Sequence, residues 1–269
     1  MNEPEFINPY AQLSLPFAIS HRGGALENPE NTLEAFQSSI DLGYKALETD
    51  LRVSRDGVLV IHHDETLQRS AQLPDRISGT TWQELSTIKV FGGHQILRFQ
   101  DLVDSIPQDV ILNIDPKDYE VIDPLEQFLQ TRPELAPRIC LGSFSTDRLM
   151  RIRQRLPHIA MSLGGREIAR LLAFSKVNLM KQAIRSSFPN QIAVQLPVRA
   201  YGIEIVRPQF VKFVHDLGLQ VHVWVVDEPE EMHRLYDMGV DAIMTDRPSV
   251  LKKVLQDRGF WRGTSHVKS

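Results

Sequence analysis

The sequence predicts a (β/α)8 TIM barrel, in which parallel strands alternate with helices. Its 269 residues fit one large α/β domain. Eight short runs are rich in Val, Ile and Leu without strict alternation, as buried parallel strands are. They lie at residues 17–20, 45–53, 110–115, 139–144, 159–163, 192–196, 221–226 and 242–245. A doubly wound open sheet is the structural alternative, but it usually has fewer strands, and no G-x-G-x-x-G follows the first run.

Helix signals lie between these runs. The stretch 31–42 begins with Asn31 or Thr32 as a cap, has Glu34 in its first turn and is followed by Gly43. The stretches 207–217 and 228–238 are likewise followed by a glycine, and the second has a proline near its start. Each stretch is therefore expected to be a helix that connects two barrel strands.

One segment interrupts this alternation. After Arg52 the chain reads as a β-hairpin whose turn is Arg55-Asp56-Gly57. Residues 65–98 then show no clear strand–helix unit, and we expect them to form a small insertion over the barrel mouth. The whole chain, 1–269, is expected to be a single domain with its barrel core at about 17–255.

Composition excludes several classes of protein. The net charge is -4, which argues against a basic nucleic-acid binder, and a single cysteine, Cys140, excludes a disulfide scaffold. No apolar segment is as long as a membrane-spanning helix, and the N-terminus lacks the pattern of a signal peptide. We therefore expect a cytoplasmic protein.

Acidic residues occur at the ends of the second and third runs. Glu48 and Asp50 are two residues apart, so on a strand they point to the same face, and Asp115 ends the next run. Carboxylates that converge at a barrel mouth repel one another, and a divalent cation removes that repulsion. Oxygen ligands favour Mg²⁺ or Ca²⁺. The alternative is structural: Glu48 and Asp50 form ion pairs with Arg52 or Lys45.

Histidines and cations accompany these carboxylates. His21 and His63 are candidates for acid–base catalysis, because imidazole titrates near neutral pH. His62 is adjacent to His63, so only one of the two rings aims easily into the site. Arg22 and Lys117 are candidates for binding an anion such as phosphate. Together these residues predict a metal-assisted phosphodiesterase.

Two blocks of the chain resemble the glycerophosphodiester phosphodiesterase family, over about residues 17–255. The first contains His21-Arg22-Gly23-Gly24, Glu27-Asn28-Pro29-Glu30-Asn31-Thr32, Glu48-Thr49-Asp50, Asp56-Gly57 and His63-Asp64-Glu65-Thr66-Leu67. The second contains HVWVVDEPEEM, Gly239-Val240-Asp241-Ala242 and Thr245-Asp246-Arg247-Pro248. The first block is highly specific, because several fixed positions recur together.

The resemblance implies a TIM-barrel hydrolase that uses a divalent cation to cleave glycerophosphodiesters to glycerol 3-phosphate and an alcohol. By motif position, His21 and His63 resemble the acid–base pair, and His63 is preferred over His62. Three further sets of roles follow from the resemblance: metal ligands for Glu48 and Asp50, phosphate contacts for Arg22 and Lys117, and an aromatic contact with the substrate for Trp224.

The third run departs from the family pattern. Family members often carry Glu-x-Lys there, whereas this chain has Asp115-Pro116-Lys117. The shorter aspartate puts the affinity and preference for a metal in question. Asn113-Ile114-Asp115 and the segment around Gln195 resemble the branch that acts on lysophospholipids, so a lysophospholipase D that releases lysophosphatidic acid is the first alternative function. A non-catalytic protein that binds phosphodiester headgroups is an alternative of another class.

Residues 166–185 form a basic segment. It carries Arg166, Arg170, Lys176, Lys181 and Arg185 with a single acid, Glu167, among apolar residues. A basic amphipathic helix can lie on an anionic membrane, so peripheral contact with a membrane surface is a hypothesis. The alternative is a barrel helix whose apolar face packs on the strands.

Overall fold

A closed barrel of parallel strands forms the centre of the protein in the computed structural model, which describes residues 6–175 and 191–261. The strands are β1 Phe17–His21, β2 Ala46–Val53, β3 Leu59–Ile61, β4 Lys89–Val90, β5 His94–Gln95, β6 Leu97–Arg98, β7 Ile111–Pro116, β8 Ile139–Leu141, β9 Ala160–Ser162, β10 Gln191–Leu196, β11 Arg199–Ala200, β12 Ile203–Glu204, β13 Gln220–Val223 and β14 Ala242–Thr245. The barrel order is β1-β14-β13-β10-β9-β8-β7-β2, and β2 pairs back onto β1. The predicted (β/α)8 barrel is therefore confirmed, and the open-sheet alternative is wrong because the sheet has no free edge between β1 and β2.

Helices connect the barrel strands. Among the described residues they are α1 Leu33–Asp41, α2 Gln68–Ala71, α3 Trp82–Leu85, α4 Phe99–Ser105, α5 Ile122–Thr131, α6 Thr146–Arg155, α7 Gly165–Phe174, α8 Pro208–Asp216, α9 Pro229–Asp237 and α10 Pro248–Asp257, with short 3-10 turns at Pro9–Gln12, Ile77–Gly79 and Pro133–Arg138. The three predicted helices correspond to α1, α8 and α9. The cap of α1 is Thr32, whose hydroxyl accepts a hydrogen bond from the Ala35 amide at 3.2 Å. Asn31 is thereby free for another role.

Two apolar layers hold the barrel together. The larger layer lies between the strands and the surrounding helices, and the smaller one fills the barrel interior. Tyr10 closes the bottom of that interior: its ring is fully buried, stacks on Phe17 at 5.2 Å and meets the edge of His222 at 5.0 Å. The lower barrel is therefore a packed core, which leaves the upper end for chemistry.

The insertion at 65–98 lies beside the barrel mouth. The predicted hairpin is present, with β3 antiparallel to β2 and β6 antiparallel to β3, so the sheet extends outward from β2. A small apolar cluster joins the insertion to Val60 of β3 and is built otherwise from Leu67, Ile77, Leu85, Val90 and Ile96. None of its described residues lines the cavity at the mouth. That the insertion covers the mouth therefore stays a prediction.

The first half of the basic segment is a barrel helix. In α7, Ile168 and Leu171 are buried against the barrel, and Arg166 forms an ion pair with Asp147. Residues 176–185 lie outside the described residues, so membrane contact stays a prediction for this segment. Among the described residues, no helix combines the length and the apolar character that a membrane crossing requires.

His222 makes the stability of the fold depend on pH. Burial lowers its pKa to about 3, and it is hydrogen-bonded between Gln195 and Gln220 as a neutral ring. The unfolded chain takes up a proton below about pH 6.5, whereas the folded chain does not, so unfolding becomes easier as the pH falls. Between about pH 6.5 and pH 4 this group alone should remove about 1.4 kcal/mol of unfolding free energy per pH unit.

Urea unfolding across that range measures this contribution. The His222→Gln variant should show a shallower loss of unfolding free energy with falling pH than the parent protein. The matched control is His94→Gln, a partly exposed histidine in the insertion, which leaves His222 and the pH dependence that His222 supplies in place. Identical slopes for the parent and His222→Gln would show that His222 does not control this dependence.

Candidate active site

The eight residues predicted for the site line one cavity at the carboxyl end of the barrel strands. Its volume is about 250 Å³. The predicted residues along its wall are His21, Arg22, Glu48, Asp50, His63, Asp115, Lys117 and Trp224. They come from separate strand ends and loops, as the barrel topology requires for a site at its mouth.

Asp50 lies at the centre of the charged half of the cavity. Its carboxylate is fully buried. The Arg22 Nε atom lies 2.9 Å from Asp50 Oδ2, the Asn31 amide donates to the same oxygen at 2.9 Å, and the Lys117 ammonium lies 2.7 Å from Asp50 Oδ1. Burial alone would raise the pKa of Asp50, but Lys117 and Arg22 hold it well below its usual range. Asp50 is therefore ionised, with a cationic group close to each of its oxygens.

Glu48 is less well partnered than Asp50. It is buried, its Oε2 atom has no hydrogen-bond partner within the described part of the chain, and the nearest cationic group is His21 Nε2 at 3.6 Å. Burial and the charge of Asp50 raise the pKa of Glu48 above its ordinary value. Such a carboxylate favours a nearby cation or proton.

His21 is held between two carboxylates. Its Nδ1 atom lies 2.6 Å from Asp246 Oδ1, and its Nε2 atom faces Glu48. Burial opposes the charged ring, but Glu48 and Asp246 outweigh it and raise the pKa of His21 above its ordinary value. The ring therefore holds its proton to a higher pH than free imidazole does.

His63, like His21, has an aspartate partner on Nδ1 and lines the cavity. His62 does not line the cavity. The Nδ1 atom of His63 lies 2.7 Å from Asp64 Oδ1, which leaves Nε2 on the cavity side. The ring of His62 is buried, with one nitrogen on the Asp64 carbonyl at 2.8 Å and the other on the Ser70 hydroxyl at 2.9 Å. The geometry thus supports the preference for His63 over His62.

Two arginines fix the loop that carries His63. Arg52 donates twice to the His63 carbonyl, at 3.0 and 2.7 Å, and once to Asp118 at 2.7 Å. Arg69 from the insertion donates to Asp64 at 2.6 Å and, with two nitrogens, to Glu30. The insertion therefore contributes to the site by holding the carboxylate that orients His63.

The alternative prediction, that Glu48 and Asp50 form ion pairs with Arg52 or Lys45, is wrong. Lys45 pairs with Asp109 at 2.6 Å, and Arg52 pairs with Asp118. The cations that neutralise Asp50 are instead Arg22 and Lys117. Arg52 is engaged by the His63 carbonyl and Asp118, and Lys45 by Asp109, so neither side chain pairs with Glu48 or Asp50.

Asp115 and Lys117 are held close together. The Lys117 ammonium donates to Asp115 Oδ2 at 2.6 Å, and burial raises the pKa of Asp115 above its ordinary value despite this contact. Asp115 Oδ1 has no hydrogen-bond partner among the described residues. Within residues 6–175 and 191–261, no group of three or more His, Cys, Asp and Glu side chains is arranged to hold a metal ion. Lys117 lies between two of the predicted ligands.

The opposite wall of the cavity is apolar. The exposed Phe144 ring meets the edge of Trp224 with ring centroids 6.2 Å apart. Leu163 and Ile168 also line the cavity. A substrate in the cavity would therefore meet charged groups on one side and an apolar surface on the other.

Gly23 and Gly24 shape the loop after β1. Both have left-handed backbones, with φ values of 80° and 91°. A Cβ atom on Gly23 would lie 2.6 Å from the Ala35 side chain, and one on Gly24 would lie 2.6 Å from Pro248. The two glycines therefore allow close packing of this loop on α1 and α10.

Sequence reasoning missed the positioning roles of Asn31 and Asp246. Asn31 carries a plausible helix-capping signal that conceals its bond to Asp50. Asp246 ends the last strand, beside the end of the first strand in a closed barrel, and that adjacency is the signal that identifies it as a partner of His21.

Comparisons with known proteins identify the family. The model of the glycerophosphoryl diester phosphodiesterase family matches residues 21–250. A relative from Mycobacterium tuberculosis, named probable glycerophosphodiester phosphodiesterase 2, is 36% identical over 91% of this chain and 93% of its own length. A rat relative named lysophospholipase D GDPD1 is 26% identical over 89% of this chain and 86% of its own.

Solved structures show the same fold. A crystal structure from Silicibacter pomeroyi, described as a glycerophosphoryl diester phosphodiesterase, matches with a TM-score of 0.77 and 25% identity over 91% of this chain and 95% of that one. An Oleispira antarctica phosphodiesterase, solved with the product sn-glycerol-3-phosphate, matches with a TM-score of 0.73 and 22% identity over 90% and 97% of the two chains. With most of its length matched by the family model and by a relative of 36% identity, the chain belongs to the glycerophosphoryl diester phosphodiesterase family.

Proposed function

We propose that this enzyme hydrolyses glycerophosphodiesters to glycerol 3-phosphate and an alcohol. One observation carries the proposal: His21 and His63, each oriented by an aspartate, line the same cavity as Arg22 and Lys117. This set provides groups that move protons and groups that bind an anionic phosphodiester. A protein that only binds headgroups would not need two histidines oriented in this way, so the set favours hydrolysis over that alternative.

Arg22 and Lys117 supply the phosphate contacts in this proposal. Arg22 uses Nε on Asp50 and Nη1 on Glu30, which leaves Nη2 for an anion. The Lys117 ammonium has three donors and uses two of them on Asp50 and Asp115. Both cations therefore have at least one donor that these carboxylates do not use.

One histidine donates a proton and the other accepts one in the proposed reaction. We assign His21 as the donor to the leaving alkoxide, because Glu48 and Asp246 favour its charged form. His63 then accepts the proton of the nucleophile at Nε2. The nucleophile is either water or the neighbouring glycerol hydroxyl, and a 1,2-cyclic phosphate as the first product would identify the hydroxyl.

A divalent cation, Mg²⁺ or Ca²⁺, belongs to the proposal. Glu48, Asp50 and Asp115 would hold it: they offer only oxygen ligands, and Glu48 Oε2 and Asp115 Oδ1 are buried without hydrogen-bond partners among the described residues. Such a cation neutralises negative charge that develops on the phosphate.

A second substrate class is favoured by the apolar wall. Phe144, Leu163, Ile168 and Trp224 line the cavity opposite the charged residues, and Ile168 belongs to the segment 166–185. A lysophospholipid would place its polar headgroup phosphate at the charged side and its acyl chain along this wall. Lysophospholipase D activity, with release of lysophosphatidic acid, is therefore the second candidate.

Hydrolysis of glycerophosphocholine tests the first proposal. The parent protein should cleave it with Mg²⁺ or Ca²⁺ and lose activity in EDTA. The His21→Ala and His63→Ala variants should each lose about 10²- to 10⁴-fold in kcat, since each removes a proton-transfer group. His94→Ala, outside the cavity, serves as the control with parent activity. Full activity in either active-site variant would refute the assigned chemistry.

The pH profile tests the role of Asp246. In the Asp246→Asn variant His21 loses a carboxylate partner, so its pKa should fall and the alkaline limb of kcat/KM should move to lower pH. The alkaline limb moves to lower pH, and not to higher pH, because His21 acts in its protonated form. A limb that stays in place would show that His21 is not the proton donor.

Phe144 distinguishes the two substrate classes. The Phe144→Ala variant should raise KM for lysophosphatidylcholine about tenfold, because an acyl chain loses an apolar contact, and leave glycerophosphocholine hydrolysis unchanged. The control is Met150→Ala, an exposed apolar residue on α6 that does not line the cavity. Equal effects on both substrates would argue against a binding site for an acyl chain at this wall.

A further inference from the structure

The Lys117 ammonium occupies the space between Asp50 and Asp115. It lies 2.7 Å from Asp50 Oδ1 and 2.6 Å from Asp115 Oδ2. These two residues are also proposed to hold the divalent cation. A cation bound to both carboxylates would face a unit positive charge at contact distance, so the two positive groups compete for the same oxygens.

The backbone around Lys117 is fixed. Its amide donates to the Leu51 carbonyl at 2.9 Å, and the Arg148 guanidinium donates to the Pro116 carbonyl at 2.7 Å. Asp115 lies directly opposite Asp50 in the pairing of β7 with β2. Movement of Lys117 is therefore confined to its flexible side chain, which is 17% exposed at the cavity.

The two oxygens of Asp50 are held differently. Oδ2 is fixed by Arg22 and by the amide of Asn31, whereas Oδ1 contacts Lys117. Loss of Lys117 from Oδ1 would leave the position of the carboxylate unchanged. Oδ1 of Asp50 and both oxygens of Asp115 would then be open to a divalent cation, together with the unpartnered Oε2 of Glu48.

We propose that Lys117 is an internal counter-ion, which a divalent cation displaces from Asp50 and Asp115 when it binds. The displaced ammonium stays in the cavity and becomes free to contact a phosphate oxygen. Cation binding and phosphate binding are then coupled: the cation frees Lys117 for the anion, and the anion, by holding Lys117 away, favours the cation. The inference rests on the proposed metal dependence of the enzyme.

Calorimetric titration with Mg²⁺ and with Ca²⁺ tests the displacement. The Lys117→Met variant should bind the cation about tenfold more tightly than the parent, because no ammonium has to leave. Lys117→Arg keeps the positive charge and should show no such gain. Lys45→Met, which removes a lysine paired with Asp109, is the control and should bind as the parent does.

Phosphate coupling provides a second readout. Inorganic phosphate should tighten cation binding to the parent protein more than to Lys117→Met, because only the parent has an ammonium to capture. Thermal unfolding adds a check on folding: the cation should raise the Tm of Lys117→Met more than that of the parent.

Two results would overturn the inference. Equal or weaker cation binding by Lys117→Met, with binding by the parent intact, would show that Lys117 and the cation do not compete, and would leave metal dependence standing. If neither protein binds the cation, and thermal unfolding shows that both are folded, the proposed metal dependence is wrong and the displacement is wrong with it.

Discussion

A buried negative charge organises this active site. Asp50 is fully removed from solvent, and a buried carboxylate is tolerated only when hydrogen bonds and opposite charges replace the lost water. Arg22, Asn31 and Lys117 provide that replacement from three separate segments. Satisfying Asp50 therefore fixes the loop after β1, the start of α1 and the end of β7 relative to one another.

The backbone near Asp50 shows how strongly this requirement acts. Arg22 and Asn31 both adopt left-handed backbone conformations, with φ values of 53° and 59°. Residues other than glycine hold such conformations where surrounding contacts over-determine them, and here both side chains meet the same carboxylate oxygen. Asn31 is further fixed by the Thr49 hydroxyl, which donates to its side-chain oxygen at 2.9 Å. The donors for Asp50 are thus set in place before any ligand arrives.

The sequence predicts the barrel well because strand burial leaves a direct compositional mark. All eight apolar runs are strands, and β2 has eight buried residues in succession, as a strand covered on both faces requires. The convergence of the candidate residues follows from topology, since most of them lie at or just beyond strand ends and Glu48 and Asp50 lie on β2. The ion-pair partners of the carboxylates are not predictable from the sequence in the same way. Lys45 and Arg52 are near Glu48 and Asp50 in sequence, but in the fold they pair with Asp109 and Asp118.

Local signals also conceal roles when one residue type serves two purposes. Asn31 and Thr32 are both good helix caps, and only the fold shows that Thr32 caps α1 while Asn31 turns to Asp50. Residues 65–98 carry no periodic pattern strong enough to place them. Their position follows from the pairing of β3 with β2 and of β6 with β3, a contact between segments that no short window of sequence contains.

The two histidines resemble each other in outline, yet their surroundings differ in charge. Each places Nδ1 on an aspartate, at 2.6 Å for His21 and 2.7 Å for His63. Asp64 shares its charge with Arg69, and this hydrogen bond, with that from His63, lowers the pKa of Asp64 to about 2 although burial opposes the change. His21 has a second carboxylate, Glu48, on its other nitrogen. The two carboxylates raise the pKa of His21 above its ordinary value, and in the proposed reaction this difference in surroundings assigns proton donation to His21 and proton acceptance to His63.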